Sequence, residues 1–387
     1  MKMAVAMQRR ARAVRRTALG LAVAVLLIAA LASYWTAAAL IARAAGASGL
    51  LGTVSQWTAL DVSSSMERLP TRSGAIRARV FRPGEQRSRP VLLVSGVHRE
   101  GIDEPRLMTL ARELAATGRV VVTPEIGDLV RYRLTSHVTD TIEDSAMWMT
   151  KRRDLFGAGG IGVIGVSFSG GLSVVAAGRP SVREEIAYVL SFGGHGNLPR
   201  VLRYLCTGEG GPEAPHPYAL AVLLHQSAEL VVPAAQVSDL RNTIETFLEA
   251  SITNRNHPEK ARQAFADLRS RSSQMPEPSA SLARDLTDGD VVSVGARISP
   301  HLRRLGHDAA LSPDRSPPPI AAVYLLHGAD DNIIPAQEST RLAEHLRGGT
   351  RVRHLISRFL THADVAEQPG AADTLKMIAF WKGVLGE

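Results

Sequence analysis

The sequence predicts an α/β fold built on a doubly wound, mostly parallel sheet. Three observations support this prediction. Short continuous apolar runs, such as 91–94 and 161–166, are typical of buried parallel strands. Helical patterns, such as 106–117, alternate with these runs along the chain. An amphipathic helical pattern at 371–384 follows the last apolar run.

The composition is that of a globular protein. The chain has 387 residues, of which 45% are hydrophobic and 21% are charged. The formal net charge is +8, but residues 1–16 contribute six cations and no acid, so the remaining chain carries only 8 − 6 = +2. That distribution does not indicate a nucleic-acid partner. The single cysteine, Cys206, excludes an intrachain disulfide and a cysteine-cluster metal site.

An uncharged apolar run from residue 17 to residue 42 follows the basic segment 1–16. Its 26 residues exceed the roughly 20 that a helix needs to span a bilayer. The preceding cations place the amino terminus in the cytoplasm and the rest of the chain outside it, which predicts a single-pass membrane anchor. A cleaved secretory signal, with small residues at 42 and 44, is the alternative. Arg15-Arg16 also admits a twin-arginine signal.

The rest of the chain is interpreted as a tether and one domain with an insert. Residues 43–65 are rich in Gly, Ala and Ser and form the predicted tether. The alternation of strands and helices breaks between 199 and 319, a stretch too long for a loop, so this range is predicted to be a helical subdomain. The flanking ranges 66–198 and 320–387 are the two parts of the predicted core. Their predicted strands are two within 66–83, then 91–94, 120–123, 161–166, 188–192, 321–326 and 352–356, and their predicted helices are 106–117, 141–153, 172–177, 338–346 and 371–384.

A serine lies at a predicted strand-to-helix junction, in Gly165-Val-Ser-Phe-Ser-Gly170. A nucleophilic serine on such a turn needs small residues two positions before and after it, so that the backbone can bend and expose the hydroxyl. Ser167 is the preferred nucleophile, with Gly165 and Ser169 as its small neighbours, because the apolar strand ends at Val166. Ser169, flanked by Ser167 and Gly171, is the alternative register. A tight turn without catalytic duty is the structural alternative.

A serine hydroxyl needs a histidine to take its proton and an acid to orient that histidine. Asp331 follows the apolar run 321–326 and is the preferred acid, with its neighbour Asp330 as the alternative. His362 follows the last predicted strand and is the candidate base. The order Ser, Asp, His along the chain is typical of one fold.

From about Arg77 to its carboxyl terminus, the chain resembles the α/β-hydrolase family. The segment 165–170 is similar to the nucleophile elbow of that family, with Ser169 in place of the usual glycine, and 327–335 is similar to its acid turn. The resemblance implies that the backbone amides of Val97 and Phe168 form the oxyanion hole, although the loop at Val97 lacks the His-Gly pair often present there. It also implies that 199–319 is a helical cap.

Two further histidines are candidates for the substrate pocket. His98 lies in the predicted oxyanion loop, and His195 lies in a glycine-rich segment after the run 188–192. For both, a loop residue without catalytic duty is the simpler interpretation. The 12 histidines form no metal-binding motif, so neither a metal nor another cofactor is expected.

The sequence therefore predicts a serine hydrolase that cleaves an acyl bond, preferably a carboxylic ester, of a small-molecule or lipid substrate. An acyltransferase of the same fold would pass the acyl group to an alcohol instead of water. An inactive binding domain on a hydrolase scaffold is the non-enzymatic alternative. The resemblance selects no substrate, because this fold serves many reactions.

Overall fold

The computed structural model describes residues 31–387, apart from 158, 212–213, 359, 361–369 and the side chains of 254–256. Within these ranges the chain forms one eight-stranded sheet. The strands are β1 (Val62–Thr71), β2 (Gly74–Pro83), β3 (Val91–Val94), β4 (Val121–Pro124), β5 (Ile161–Val166), β6 (Ile186–Phe192), β7 (Ala322–Gly328) and β8 (Val352–Ser357).

The sheet is mostly parallel, as the sequence predicts. Its strand order is β1-β2-β4-β3-β5-β6-β7-β8, so the chain winds outward in both directions from β3. Strands β3 to β8 pair in parallel, whereas β2 is antiparallel to both β1 and β4. The central strands β3 and β4 are buried along their whole length, which explains their unbroken apolar sequences.

Helices cover both faces of the sheet and bury two apolar clusters. One cluster lies under the helices at 31–44, 105–115 and 371–385, and the other lies under the helices at 136–151 and 168–177 and the predicted insert. The helices are α1 (residues 31–44), α2 (Gly49–Gln56), α3 (Pro105–Ala115), α4 (Gly127–Val130), α5 (Ser136–Lys151), α6 (Arg153–Phe156), α7 (Phe168–Ala177), α8 (Leu198–Thr207), α9 (Pro217–Val231), α10 (Ala234–Asn256), α11 (Pro258–Ser272), α12 (Ser279–Thr287), α13 (Val291–Ile298), α14 (Leu302–Gly306), α15 (Gln337–Leu346) and α16 (Ala371–Leu385).

The connection between β6 and β7 is built from helices α8 to α14. It leaves the sheet at the carboxyl end of β6 and returns to the amino end of β7. Helices α9 and α10 pack against each other, and α13 packs against α8 and α9. This helical insert therefore stands at the edge of the sheet where the parallel strands end.

The amino-terminal part of the described chain packs against the domain. In α1, Ala37 and Leu40 are fully buried in the cluster shared with α3 and α16. The guanidinium of Arg43 lies 2.5 Å from the carboxylate of Glu113 and donates a 2.6 Å hydrogen bond to the carbonyl oxygen of Ser55. Residues 31–42, the distal part of the predicted span, thus contribute to a protein core.

The range interpreted as a tether, 43–65, contains helix α2 and the beginning of β1. The first 30 residues, which include the whole basic segment and residues 17–30 of the predicted span, lie outside the described residues. No helix in the part of the chain that the structure describes is both long and apolar enough to cross a membrane.

Candidate active site

Ser167 occupies a sharp turn between β5 and α7. Its backbone has φ of 59° and ψ of −134°, a conformation that is rare for residues other than glycine and that costs energy. Two backbone hydrogen bonds hold the turn. The amide of Ser167 donates to the carbonyl oxygen of Phe192 at 2.7 Å, and the amide of Gly170 donates to the carbonyl oxygen of Ser167 at 2.8 Å. The strain is therefore maintained by the surrounding structure, as at many functional serines.

The small residues around Ser167 let α7 approach the sheet closely. A Cβ atom on Gly165 would lie 2.2 Å from the carbonyl oxygen of Ser169, and one on Gly171 would lie 2.6 Å from that of His195. Ser169 itself is fully buried, and its hydroxyl donates a 2.6 Å hydrogen bond to the carbonyl oxygen of Ser95. The second small position of the turn thus holds a side chain that is bonded to another segment.

The segment after β3 passes directly beside Ser167. A Cβ atom on Gly96 would lie 3.5 Å from the Cβ atom of Ser167. The next residue, Val97, is half-buried against the core. Phe168 is the first residue of α7, and the first amides of a helix have no acceptor within that helix. The positive end of the helix dipole also favours negative charge at this point.

Asp331 lies in the turn after β7 and is buried. Its Oδ1 accepts two hydrogen bonds of 2.9 Å, from the amides of Ile333 and Ile334. The Nε2 of His327, on β7, lies 3.2 Å from Oδ2 of Asp331 and 2.8 Å from the carbonyl oxygen of Ile334. These contacts fix the orientation of the carboxylate. The neighbouring Asp330 is exposed.

His362 lies outside the described residues, so the structure does not describe its relation to Ser167 and Asp331. The chain that leads to it is described as far as the end of β8. There Ser357 pairs with Gly328, and the carbonyl oxygen of Ser357 accepts a 3.1 Å hydrogen bond from Ala329, two residues before Asp331. The end of β8 and the acid turn are thus neighbours.

The parallel strands bring these segments to one edge of the sheet. The residues after β3, β5 and β7 lie at the carboxyl ends of their strands, and β5 is the direct neighbour of β3. In open α/β sheets, ligands bind at this edge. Gly96, Ser167 and Asp331 therefore lie at the edge where a substrate is expected.

The two histidines proposed for the pocket have local structural contacts. The Nδ1 of His98 accepts a 3.2 Å hydrogen bond from the amide of Glu100, in the turn after the candidate oxyanion segment. His195 is fully buried, with its Nε2 2.8 Å from the carbonyl oxygen of Leu311 and its ring next to Gly171 of α7. Burial lowers the pKa of both His98 and His195, which favours their neutral forms.

The acid turn is bonded to the helical insert, a connection that the sequence does not reveal. The carbonyl oxygen of Asn332 accepts hydrogen bonds from the amide of His216 at 2.9 Å and from the hydroxyl of Tyr204 at 3.1 Å. A backbone acceptor leaves no signature in the sequence, because every residue has one. The insert is therefore fastened to the residue next to Asp331.

Glu338, in the first turn of α15, makes a second connection. Its buried carboxylate accepts from the amides of Gly196 and Asn197 at 3.1 and 2.9 Å. The guanidinium of Arg200, on α8, donates to the same carboxylate at 2.7 and 3.1 Å. One carboxylate thus joins the exit of β6, the start of the insert and the helix that follows the acid turn.

A cavity of about 610 Å³ lies between α9, α10 and the segments after β3 and β4. Arg99 lines it and bridges to α10 through Glu245 at 3.0 Å and Glu249 at 2.8 Å. The lining thus includes segments that follow β3, the direct neighbour of the strand that carries Ser167, and β4, which lies about 10 Å from that strand. Further cationic lining residues are Arg131, Arg133 and Arg241.

Among the described residues, no group of three or more His, Cys, Asp or Glu side chains could hold a metal ion. The single cysteine, Cys206, is buried in α8, and burial raises the pKa of its thiol to about 11. A thiol with such a pKa is a poor nucleophile at neutral pH. Cys206 is therefore a core residue.

No protein-family model and no curated protein matches this sequence. Solved structures of similar shape include an esterase from Pyrobaculum calidifontis, with a TM-score of 0.45, 18% identity and coverage of 83% of this chain and 86% of that chain. Brefeldin A esterase, a bacterial protein, has a TM-score of 0.46 and 16% identity, over 91% of this chain and 84% of that one. Acylaminoacyl peptidase from Pyrococcus horikoshii has a TM-score of 0.47 and 12% identity, over 88% of this chain and 43% of that one.

These likenesses are remote, and the fold is assigned from the geometry of this chain alone. That geometry consists of a mostly parallel eight-stranded sheet, a serine elbow between β5 and α7, an acid turn after β7, and helices inserted before β7. The chain has an α/β-hydrolase-like fold.

Proposed function

We propose that this protein is a serine hydrolase that cleaves a carboxylic ester, with Ser167 as nucleophile, His362 as base and Asp331 as the acid that orients it. One observation carries the proposal: Ser167 is held at a positive φ, at the carboxyl edge of the sheet, beside the segment that contains Gly96. A strained, partly exposed serine at this point is what nucleophilic attack needs.

The surroundings of the two serines favour Ser167 over Ser169. Ser169 is fully buried, and its hydroxyl is already bonded to the carbonyl oxygen of Ser95. The same comparison favours Asp331 over Asp330, because Asp331 is buried and oriented by two amides, whereas Asp330 is exposed to solvent. A buried, oriented carboxylate is the kind that fixes the tautomer of a catalytic histidine.

In the proposed reaction, His362 takes the hydroxyl proton of Ser167 while the serine oxygen attacks the ester carbonyl carbon. The negative charge that develops on the carbonyl oxygen is stabilised by the amides of Val97 and Phe168. The bond to the leaving alcohol then breaks, and His362 gives its proton to that alcohol. Water then attacks the acyl carbon and passes a proton to His362. The bond between the acyl carbon and the serine oxygen breaks, His362 returns the proton to Ser167, and the carboxylic acid leaves.

We also propose that the uncharged segment before the domain anchors it in a membrane, with the domain outside the cytoplasm. Because α1 buries Ala37 and Leu40 in the domain, the segment left for lipid is 17–36, which has 36 − 17 + 1 = 20 residues. That is about the length that spans a bilayer. The packing of Ala42 and Arg43 argues against a cleaved signal, since cleavage between 42 and 44 would remove α1 from the core.

The test is labelling of the detergent-purified full chain with a fluorophosphonate, followed by mapping of the adduct by mass spectrometry. We expect the adduct on Ser167, turnover of p-nitrophenyl butyrate, and loss of both in Ser167→Ala, with turnover reduced by about 10⁶-fold. Transfer of the butyryl group to an added alcohol, rather than to water, would identify an acyltransferase. A folded chain that neither reacts nor turns over ester would refute the proposal.

A further inference from the structure

The described chain begins with a stretch of sequence that has exposed apolar side chains and no exposed charged residue of its own. Of the ten large hydrophobic side chains that are exposed among the described residues, five lie within 31–57. Between 31 and 60 the sequence contains one charged residue, Arg43, and its guanidinium is buried against Glu113. We call these five side chains the amino-terminal patch: Leu31 (69% exposed), Tyr34 (44%), Leu50 (82%), Leu51 (58%) and Trp57 (76%).

Contacts with helix ends place this patch at the edge of the sheet where the parallel strands begin. Helix α3 runs back from the carboxyl end of β3 to the amino end of β4. The amino-terminal segment contacts the end of this helix. Glu113 pairs with Arg43, and the carbonyl oxygen of Ala116, just after the helix, accepts a hydrogen bond from the amide of Leu60 at 2.9 Å. Strand β1, which follows Trp57, starts at this same edge.

Contacts of helix α16 place the amino-terminal patch at the same edge of the sheet. Its last residue, Leu385, accepts a hydrogen bond from the guanidinium of Arg119, just before β4 begins. One turn earlier, the ammonium of Lys382 lies 4.8 Å from the ring centre of Tyr34. Tyr34 and Arg43 of α1 thus both lie near the amino ends of the strands.

Ser167 lies at the opposite edge. It follows the carboxyl end of β5, which has six residues and, at about 3.3 Å per residue, is about 20 Å long. The helical insert rises from this same edge. The amino-terminal patch and the candidate active site are therefore separated by at least the length of a strand.

We propose that the amino-terminal patch lies on the lipid bilayer, so that the domain is held directly against the membrane with its active site facing away. The substrates are then esters dissolved in water, rather than lipids held in the bilayer. This inference rests on the proposed hydrolase activity and on the proposed anchor. An apolar surface with tryptophan and tyrosine at its margin is typical of the membrane interface.

A bilayer explains this surface better than a second copy of the chain does. Leu31 is the first described residue, and the chain before it, 17–30, is apolar and contains no charge. The exposed patch is therefore continuous in sequence with the proposed spanning segment. Five exposed apolar side chains within a stretch that has no exposed charge of its own would be costly to leave in water but are suited to lipid.

The test places a fluorophore at single positions in the full chain, in phosphatidylcholine vesicles that contain doxyl-labelled lipid. Cys206 is buried, so Leu50→Cys and Trp57→Cys supply the reactive thiols. Val292→Cys, 70% exposed on α13 of the insert, is the matched control. We expect strong quenching at 50 and 57, at least five-fold greater than at 292. Equal quenching at all three positions, or crosslinking of two copies through residue 50, would overturn the proposal.

Activity in the same vesicles separates this inference from the proposed function. We expect p-nitrophenyl butyrate to be cleaved at least ten-fold faster than the phosphatidylcholine of the vesicle. Fluorophosphonate labelling of Ser167 without quenching at residue 50 would leave the hydrolase intact and refute the orientation. Quenching at residue 50 without labelling of Ser167 would support the orientation and refute the hydrolase. Rapid cleavage of the vesicle lipid would refute an active site that faces away from the bilayer.

Discussion

The hydroxyl of Ser169 donates a 2.6 Å hydrogen bond to the carbonyl oxygen of Ser95, across the gap between the serine elbow and the segment after β3. Both groups are buried. The bond therefore sets the distance between two parts of the proposed oxyanion hole, the amide of Phe168 on α7 and the amide of Val97 on the neighbouring segment. A glycine at position 169 could not make this bond.

Replacement of Ser169 by alanine is expected to destabilise the domain and lower turnover without moving the site of labelling. The carbonyl oxygen of Ser95 would be left buried without that donor, at a cost of about 1–3 kcal/mol. Ser173→Ala is the control, because the described structure gives its buried hydroxyl no hydrogen-bond partner. Urea denaturation and adduct mapping test both variants. An adduct that disappears from Ser169→Ala while Ser167 is intact would mean that Ser169 is the nucleophile.

Replacement of Asp331 by asparagine is expected to reduce kcat by about 10³- to 10⁴-fold, because a neutral amide cannot stabilise the imidazolium of His362. The asparagine oxygen can still accept from the amides of Ile333 and Ile334. Circular dichroism should therefore show a folded protein. Asp330→Asn, at the exposed neighbour, should keep kcat within two-fold. A larger loss of kcat in Asp330→Asn than in Asp331→Asn would mean that Asp330, and not Asp331, is the acid.

Glu338 is expected to be essential for stability although it is not proposed as a catalytic residue. Glu338→Ala removes the acceptor shared by Gly196, Asn197 and Arg200 and should cost about 1–3 kcal/mol, because buried amides lose their hydrogen-bond partner while the partly exposed Arg200 can be solvated. Glu344→Ala, on the exposed face of the same helix, should change stability by less than about 0.5 kcal/mol. Equal denaturation midpoints for the two variants would contradict this role.

Stability is expected to fall as the pH decreases below about 6.5. Burial lowers the pKa of four histidines in the folded protein, so the folded state binds fewer protons than the unfolded state in this range. Their stabilising effect is complete above the unfolded pKa, near 6.5, and each can contribute up to about 1.4 kcal/mol per pH unit below it. The four are His98, His195, His225 and His354.

Denaturation at pH 7.5, 6.0 and 5.0 measures this dependence, and a single variant tests its origin. His195→Gln should reduce the slope, because glutamine can still donate to Leu311 but does not titrate. His137→Gln, at an exposed histidine, is the control. If the slopes of the wild-type protein and His195→Gln were equal, the burial of His195 would not be a source of the acid sensitivity.

Much of the sheet could be predicted from the sequence. The bounds predicted for β3 and β5, 91–94 and 161–166, are those of the structure, because a strand buried on both faces is a continuous apolar run. The predicted start of α7, at 172, was wrong by four residues, since the helix begins at Phe168. Glycines at 170 and 171 have weak helix propensity, and only the close packing of α7 against β5 and His195 explains why they are helical.

The contacts that orient the candidate site could not be predicted. The bonds from Ser169 to Ser95 and from Tyr204 to Asn332 join backbone acceptors to side chains 74 and 128 residues away. The amino-terminal run illustrates a second limit. An apolar helix face has the same sequence whether it packs on lipid or on protein, and the burial of Ala37 and Leu40 appears only in the fold. The catalytic roles of Ser167, Asp331 and His362, and the oxyanion role of Val97 and Phe168, stay predictions.

The ion pair between Arg43 and Glu113 has a consequence for turnover of the protein in the cell. A chain cut after residue 44 would lose α1, leave Glu113 without its cation, and open the apolar faces of α3 and α16 to water. Loss of the buried Leu40 side chain alone would cost about 1.5–3 kcal/mol, against the 5–15 kcal/mol that typically stabilises a folded protein. A domain cut at this point would therefore be more readily degraded than the uncut chain, and pulse-chase analysis of the cut chain would show its shorter half-life.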